Sequence, residues 1–139
     1  MGFVEKEYKI KLFLKNVIYL LNDDACNFIF MEKRVSENQK EKEFTNESTL
    51  NYLEYDREDA KKEIISLTVE EYVESVEDNN PNFNNDSFKV FVKNIKDINV
   101  YIKIKIRDIE NKIVVCVSFH KAEYEVTYPY KWLIGGLYG

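Results

Sequence analysis

Ile98-Asn99-Val100-Tyr101-Ile102-Lys103-Ile104-Lys105-Ile106-Arg107 alternates apolar and polar residues without a break. Successive side chains of a strand point to opposite faces. Ile98, Val100, Ile102, Ile104 and Ile106 therefore share one face, and Asn99, Tyr101, Lys103, Lys105 and Arg107 share the other. Such a strand lays one face on a core and turns the other outward. Residues 88–93 alternate likewise, with Lys89, Phe91 and Lys93 on one side. Residues 113–120 are almost continuous in Val, Ile, Cys and Phe, the composition of a strand buried on both faces, and residues 108–112 supply a hairpin turn before it. Residues 124–128 are expected to add a last strand before Pro129.

Ahead of this block the period changes. Ile10, Phe13, Leu14, Val17, Ile18 and Leu21 recur at three- and four-residue spacing, which predicts an amphipathic helix over 7–22. The run Asn27-Phe28-Ile29-Phe30-Met31 is short and aromatic and reads as a strand. Residues 36–47 are dominated by Glu, Lys, Asn and Gln and read as a solvated helix or a connection. A helix over 57–67 follows the acidic opening at Asp56, Glu58 and Asp59, where negative charge suits a helix N-terminus. Thr68 with Glu71 three residues on forms a capping box that predicts a second short helix. The fold expected is α+β, with N-terminal helices packed on a mainly antiparallel C-terminal sheet. One domain over 1–139 is expected: a mainly helical front at 1–78, an Asn- and Pro-rich loop at 79–87, the antiparallel sheet at 88–130, and an apolar, Gly-containing tail at 131–139.

At 139 residues, 45% hydrophobic and 14% aromatic, the chain can bury a core despite 32% charged residues. No apolar stretch is long enough to span a membrane and the first residues are charged rather than signal-like, so a cytoplasmic protein is expected. Cys26 and Cys116, with one histidine in the whole chain, do not make a four-ligand zinc site. Two reduced thiols are the expectation. The net charge of −5 is unevenly spread: residues 1–88 carry 11 basic and 20 acidic side chains, residues 89–139 nine and five. The acidic balance argues against general polyanion binding, whereas the basic last third can present a local anion-binding face.

The glycines, at positions 2, 135, 136 and 139, form no phosphate-cradling loop, and no serine sits in a nucleophile elbow. What remains is the polar side of the sheet, where Lys89, Lys93, Tyr101, Lys103, Lys105 and Arg107 are expected together, with His120 at the end of the next strand. Cleavage of RNA through its ribose 2′-hydroxyl needs a group to take that proton, a group to protonate the leaving oxygen, and cations for the developing phosphorane charge. His, Tyr, Glu, Lys and Arg supply all three, with Glu123 as a candidate for the second acid or base. Phe91, Tyr128 and Tyr130 are candidates to stack on unpaired bases.

The blocks Ser66-Leu67-Thr68-Val69-Glu70-Glu71-Tyr72, Phe88-Lys89-Val90-Phe91-Val92-Lys93, Val100-Tyr101-Ile102-Lys103-Ile104-Lys105, Cys116-Val117-Ser118-Phe119-His120-Lys121-Ala122-Glu123 and Tyr128-Pro129-Tyr130 follow one another in an order and spacing that resembles the MqsR family of type II toxins. These are small messenger-RNA interferases with a RelE-like fold. The likeness covers residues 60–130. It implies that Tyr101 matches a tyrosine on the family's central strand and Lys103 the lysine two residues on. His120 stands at a basic position that follows Ser-Phe and is lysine in the best-known member. Lys89 falls where the family has a glutamine. These departures leave room for an inactive or differently specific relative.

The resemblance also implies a cognate antitoxin with a zinc-binding domain and a helix-turn-helix DNA-binding domain, so that any zinc or DNA contact belongs to that partner. The function expected is a metal-independent endoribonuclease that cuts single-stranded messenger RNA without a cofactor. Catalysis falls to His120, Tyr101 and Lys103, and the RNA backbone to Lys89, Lys93, Lys105 and Arg107. The alternative is a non-catalytic interaction module that keeps the toxin fold, since a net charge of −5 is unusual for an enzyme that holds a polyanion.

Overall fold

The strictly alternating stretch forms the middle of a six-stranded sheet. The computed structural model describes residues 2–32, 42–79 and 87–131. In chain order the elements are β1 (Gly2–Phe3), α1 (Glu7–Leu21), β2 (Asn27–Phe30), a 3₁₀ turn (Lys42–Phe44), α2 (Asn46–Leu53), α3 (Arg57–Ile65), a second 3₁₀ turn (Val69–Glu71), β3 (Tyr72–Glu77), β4 (Ser87–Ile95), β5 (Ile98–Asp108) and β6 (Ile113–Lys121). The sheet order is β1-β3-β4-β5-β6-β2. Its pairings are antiparallel except for β2, which runs parallel to β6. The fold is thus α+β with a mixed sheet, and the N-terminal part contributes three of its strands.

One face of the sheet is covered by the three helices. Ile10, Phe13, Leu14, Val17, Leu20 and Leu21 of α1 are buried, and Phe13 stacks on Phe91 of β4 with centroids 6.4 Å apart. Ile18, expected on the apolar face of α1, is instead 37% exposed, and Leu20 takes its place in the core. Across the sheet Phe91, Val100, Ile102, Ile104, Val114, Cys116 and Phe119 complete this core at 0% exposure. Each such large side chain contributes about 1.5–3 kcal/mol. Asp56 and Asp59 form a reciprocal capping box at the start of α3.

Several expectations change. The Thr68–Glu71 capping box is present, but it opens a single 3₁₀ turn and the chain enters β3 at Tyr72. Of residues 36–47, 36–41 lie outside the described residues, and α2 begins at Asn46 behind a Thr45 cap. Of the expected loop, 80–86 lie outside the described residues, as do 132–139 of the tail. Residues 124–128 form no strand. That segment instead leads to Tyr130, which stacks on Tyr72 with centroids 6.0 Å apart and donates to the Glu5 carbonyl. Among the described residues no helix is long and apolar enough to cross a membrane.

Candidate active site

The face of the sheet turned away from the helices carries the candidate site, and two irregularities of register decide what stands on it. Tyr101 pairs with His120 and Lys103 with Ser118, but Ile104 pairs with Cys116, so Val117 is an extra residue in β6. Strict alternation from the core residue Cys116 would put His120 under the helices. The bulge reverses the parity, sending Phe119 into the core and His120 to the open face. In β3, the register shifts between Tyr72 and Glu74, so that Tyr72 joins the core and Glu74, paired with Val90, shares the open face.

Tyr101, Lys103, Ser118 and His120 line one cavity of about 420 Å³. Glu74 closes it at one side, and Ala122, Glu123, Tyr124 and Val126 of the segment after β6 form the remaining wall. His120 is 6% exposed. Its ring is stacked on Tyr101 with centroids 5.1 Å apart and planes 14° from parallel. His120 Nδ1 lies 2.9 Å from the carbonyl oxygen of Lys121. A carbonyl only accepts, so Nδ1 is the donor in this contact and carries a proton. Lys103 Nζ stands 5.1 Å from the centroid of Phe88, which orients the ammonium by a cation–π contact.

The single basic face expected from the sequence is divided by the structure. Lys89 and Lys93 lie on the helix-covered side, because their register partners on β5 are Ile104 and Val100. Lys89 Nζ pairs with Glu5 at 2.9 Å, with the two side chains 7% and 17% exposed, and bonds Ser87 Oγ at 2.7 Å. Glu5 also accepts from Ser75. Burial works against the charge of Glu5, but the hydrogen bonds from Ser75 and Lys89 and the charge of Lys89 outweigh it, so its carboxyl titrates below the ordinary value.

Lys93 is bound to Glu63 at 2.8 Å and to Ser66, fastening α3 to the sheet. Burial likewise opposes the ionisation of Glu63, and the hydrogen bonds from Lys93 and Tyr55 reverse the balance. Lys105 shares the open side but is 2% exposed and bound to Asp78 at 2.8 Å. Arg107, the extra residue at the irregularity between Ile106 and Asp108 of β5, lines a different cavity of about 480 Å³ beside α1.

Lys103 is therefore the only one of the five lysine and arginine candidates that the structure brings to the cavity with Tyr101 and His120. Glu123 lines it as an exposed side chain. Phe91 is in the core, Tyr130 is packed on Tyr72, and Tyr128 does not line the cavity. The exposed aromatic at its rim is Tyr124, 80% exposed. Glu74, Ser118 and Tyr124 were not singled out in the sequence. Glu74 was hidden by the misread strand β3, and its carboxylate rests against Gly2, where a Cβ would stand 1.9 Å from Oε1. Among the described residues no group of three or more His, Cys, Asp or Glu side chains is arranged to hold a metal ion. Compared with models of known protein families, with curated proteins and with solved structures, the chain matches none.

Proposed function

We propose that this chain is an endoribonuclease of the toxin type, with a RelE- and MqsR-like fold, which cuts single-stranded RNA by acid–base catalysis at the open face of its sheet. One observation carries the reading: Tyr101 and Lys103 of β5 and His120 of β6 line one cavity. In this reading the ribose 2′-oxygen attacks the adjacent phosphorus, the bond to the 5′-oxygen breaks, and a 2′,3′-cyclic phosphate and a free 5′-hydroxyl result. His120 takes the 2′-hydroxyl proton at Nε2 and gives it to the departing 5′-oxygen, while Nδ1 stays bonded to the Lys121 carbonyl, which holds the ring in one orientation. Lys103 places a positive charge beside the equatorial phosphate oxygens, where negative charge grows in the transition state. The Tyr101 hydroxyl is a hydrogen-bond donor to the same group. No step calls on a metal ion or a cofactor.

A cognate antitoxin that restrains the activity belongs to the same proposal, and zinc and DNA binding are assigned to that partner. One observation favours the runner-up, a non-catalytic interaction module: Lys89 and Lys93 lie on the helix-covered side in ion pairs with Glu5 and Glu63, and Lys105 is paired with Asp78, so the open face is less cationic than the sequence suggests. The two readings separate on induced expression of the wild type and of His120→Ala, with new 5′ ends mapped in cellular RNA. Growth arrest with discrete cuts that vanish in the variant supports the nuclease. A well-folded, abundant wild type that leaves growth and RNA unchanged leaves the interaction module in its place.

A further inference from the structure

We infer that Asn46 and Thr49 are positioning residues for His120: the first turns of α2 grip the bulged end of β6 and so decide which way the imidazole faces. Val117 has no register partner on β5, and β2 ends at Phe30 opposite Cys116, so β6 beyond Cys116 has no strand along its β2 side. A buried backbone group without a partner costs about 1–3 kcal/mol, so an unsupported bulge would tend to slip back into register. Slippage by one residue carries every later side chain to the opposite face. For β6, that means His120 turning under the helices.

The Asn46 carboxamide meets this need from both ends. Its Nδ2 donates to the Val117 carbonyl at 3.1 Å, and its Oδ1 accepts from the Phe119 amide at 3.0 Å. The same Nδ2 donates to the Met31 carbonyl just past β2 at 2.7 Å, tying the bulge to the neighbouring parallel strand. One turn further along α2, on the same side, Thr49 Oγ1 accepts from the Lys121 amide at 2.8 Å. Lys121 is the residue whose carbonyl receives His120 Nδ1. Asn46 holds the chain before His120 and Thr49 holds it after. Asn46 is 0% and Thr49 2% exposed, and buried polar side chains bonded in this way fix one arrangement of the chain about them.

The inference relies on the ribonuclease reading only for what His120 does once placed. Because the chain has one histidine, the ¹⁵N and ¹H signals of its imidazole report this site alone and need no substrate. The test compares the wild type with Asn46→Ala and with the near-isosteric Thr49→Val, which guards against a failure of the first to fold. Leu53→Ala, a core truncation on the same helix, controls for loss of stability. In the wild type the neutral ring is expected to hold its proton on Nδ1. Asn46→Ala and Thr49→Val are expected to lose that pattern and move the titration midpoint of the ring, while Leu53→Ala lowers the thermal midpoint and leaves the imidazole unchanged. In cleavage assays the two positioning variants are expected to lower kcat about tenfold or more with KM nearly constant, as for a displaced catalytic group.

A folded Asn46→Ala or Thr49→Val protein with wild-type imidazole signals overturns the inference, whatever the outcome of the cleavage assay. Altered imidazole signals in the variants, beside a folded wild type that cleaves no RNA, uphold the positioning and overturn the ribonuclease reading alone.

Discussion

The ring of His120 lies flat against that of Tyr101, its direct cross-strand partner, with 5.1 Å between centroids. The stack limits rotation of the imidazole, and the contact of Nδ1 with the Lys121 carbonyl fixes which way the ring is turned. The proposed chemistry therefore gives Tyr101 two separable roles, a surface to stack on and a hydroxyl to donate. Tyr101→Phe keeps the ring and is expected to leave the thermal midpoint nearly unchanged while lowering kcat about 100-fold, the usual effect of removing a transition-state donor. Tyr101→Ala removes both and should lower kcat further. Steady-state cleavage rates beside melting curves check the separation.

Lys103 and Lys93 make an opposed pair of variants. Lys103→Ala is expected to lower cleavage about 100-fold or more with little change in stability, since this cation faces the cavity. Lys93→Ala leaves the Glu63 carboxylate of α3 charged and mostly buried against the sheet without its cation. It should destabilise by about 3 kcal/mol, as does breaking a buried ion pair, with kcat of the folded fraction unchanged. If Lys93→Ala behaves like Lys103→Ala, the division of the basic residues between the two faces is wrong.

Acid stability follows from Glu5 and Glu63. Both carboxyls have folded-state values below the ordinary 4.5. Each therefore stabilises the fold fully above pH 4.5, and that contribution is lost as the pH falls through the lower folded-state value. Denaturant titrations at stepped pH should show stability falling below about pH 4.5, and Glu5→Gln should be less stable at neutral pH with a shallower acid limb. An unchanged acid limb in Glu5→Gln would contradict the Glu5–Lys89 pairing.

Tyr124 is expected to act on substrate and not on folding. At 80% exposure on the cavity rim, it can offer a face to an unpaired base, an interaction worth about 1–3 kcal/mol. Tyr124→Ala should raise KM for single-stranded RNA roughly tenfold or more and leave the melting curve in place, whereas Tyr124→Phe should match the wild type. Equal KM values for the Ala variant and the wild type would remove the stacking role.

Where the chain keeps one period, its structure was legible. β5 alternates from Ile98 to Arg107 and sets the middle of the sheet, and α1 follows its apolar spacing to within one residue of the core. The misreadings fall where the period breaks. The shift before Glu74 changes the parity of β3, and no residue type marks it; the bulge at Val117 is equally unmarked, although His120 reaches the polar face where it is expected. Lys89 and Lys93 alternate correctly with Phe91, but which side of β4 faced the helices depends on pairing with β5, which composition alone does not give. α2 escaped notice because it is eight residues long and opens on the polar Asn46, Glu47, Ser48 and Thr49. Two of those residues are buried for the hydrogen bonds they make to β6.

The most direct test of the central claim uses the purified full chain, a single-stranded RNA of mixed sequence and an excess of chelator, with product ends identified by mass. The proposed chemistry predicts discrete fragments ending in 2′,3′-cyclic phosphate and 5′-hydroxyl, and their loss in His120→Ala. Intact RNA with folded wild type, or the same fragments at the same rate from His120→Ala, would contradict it.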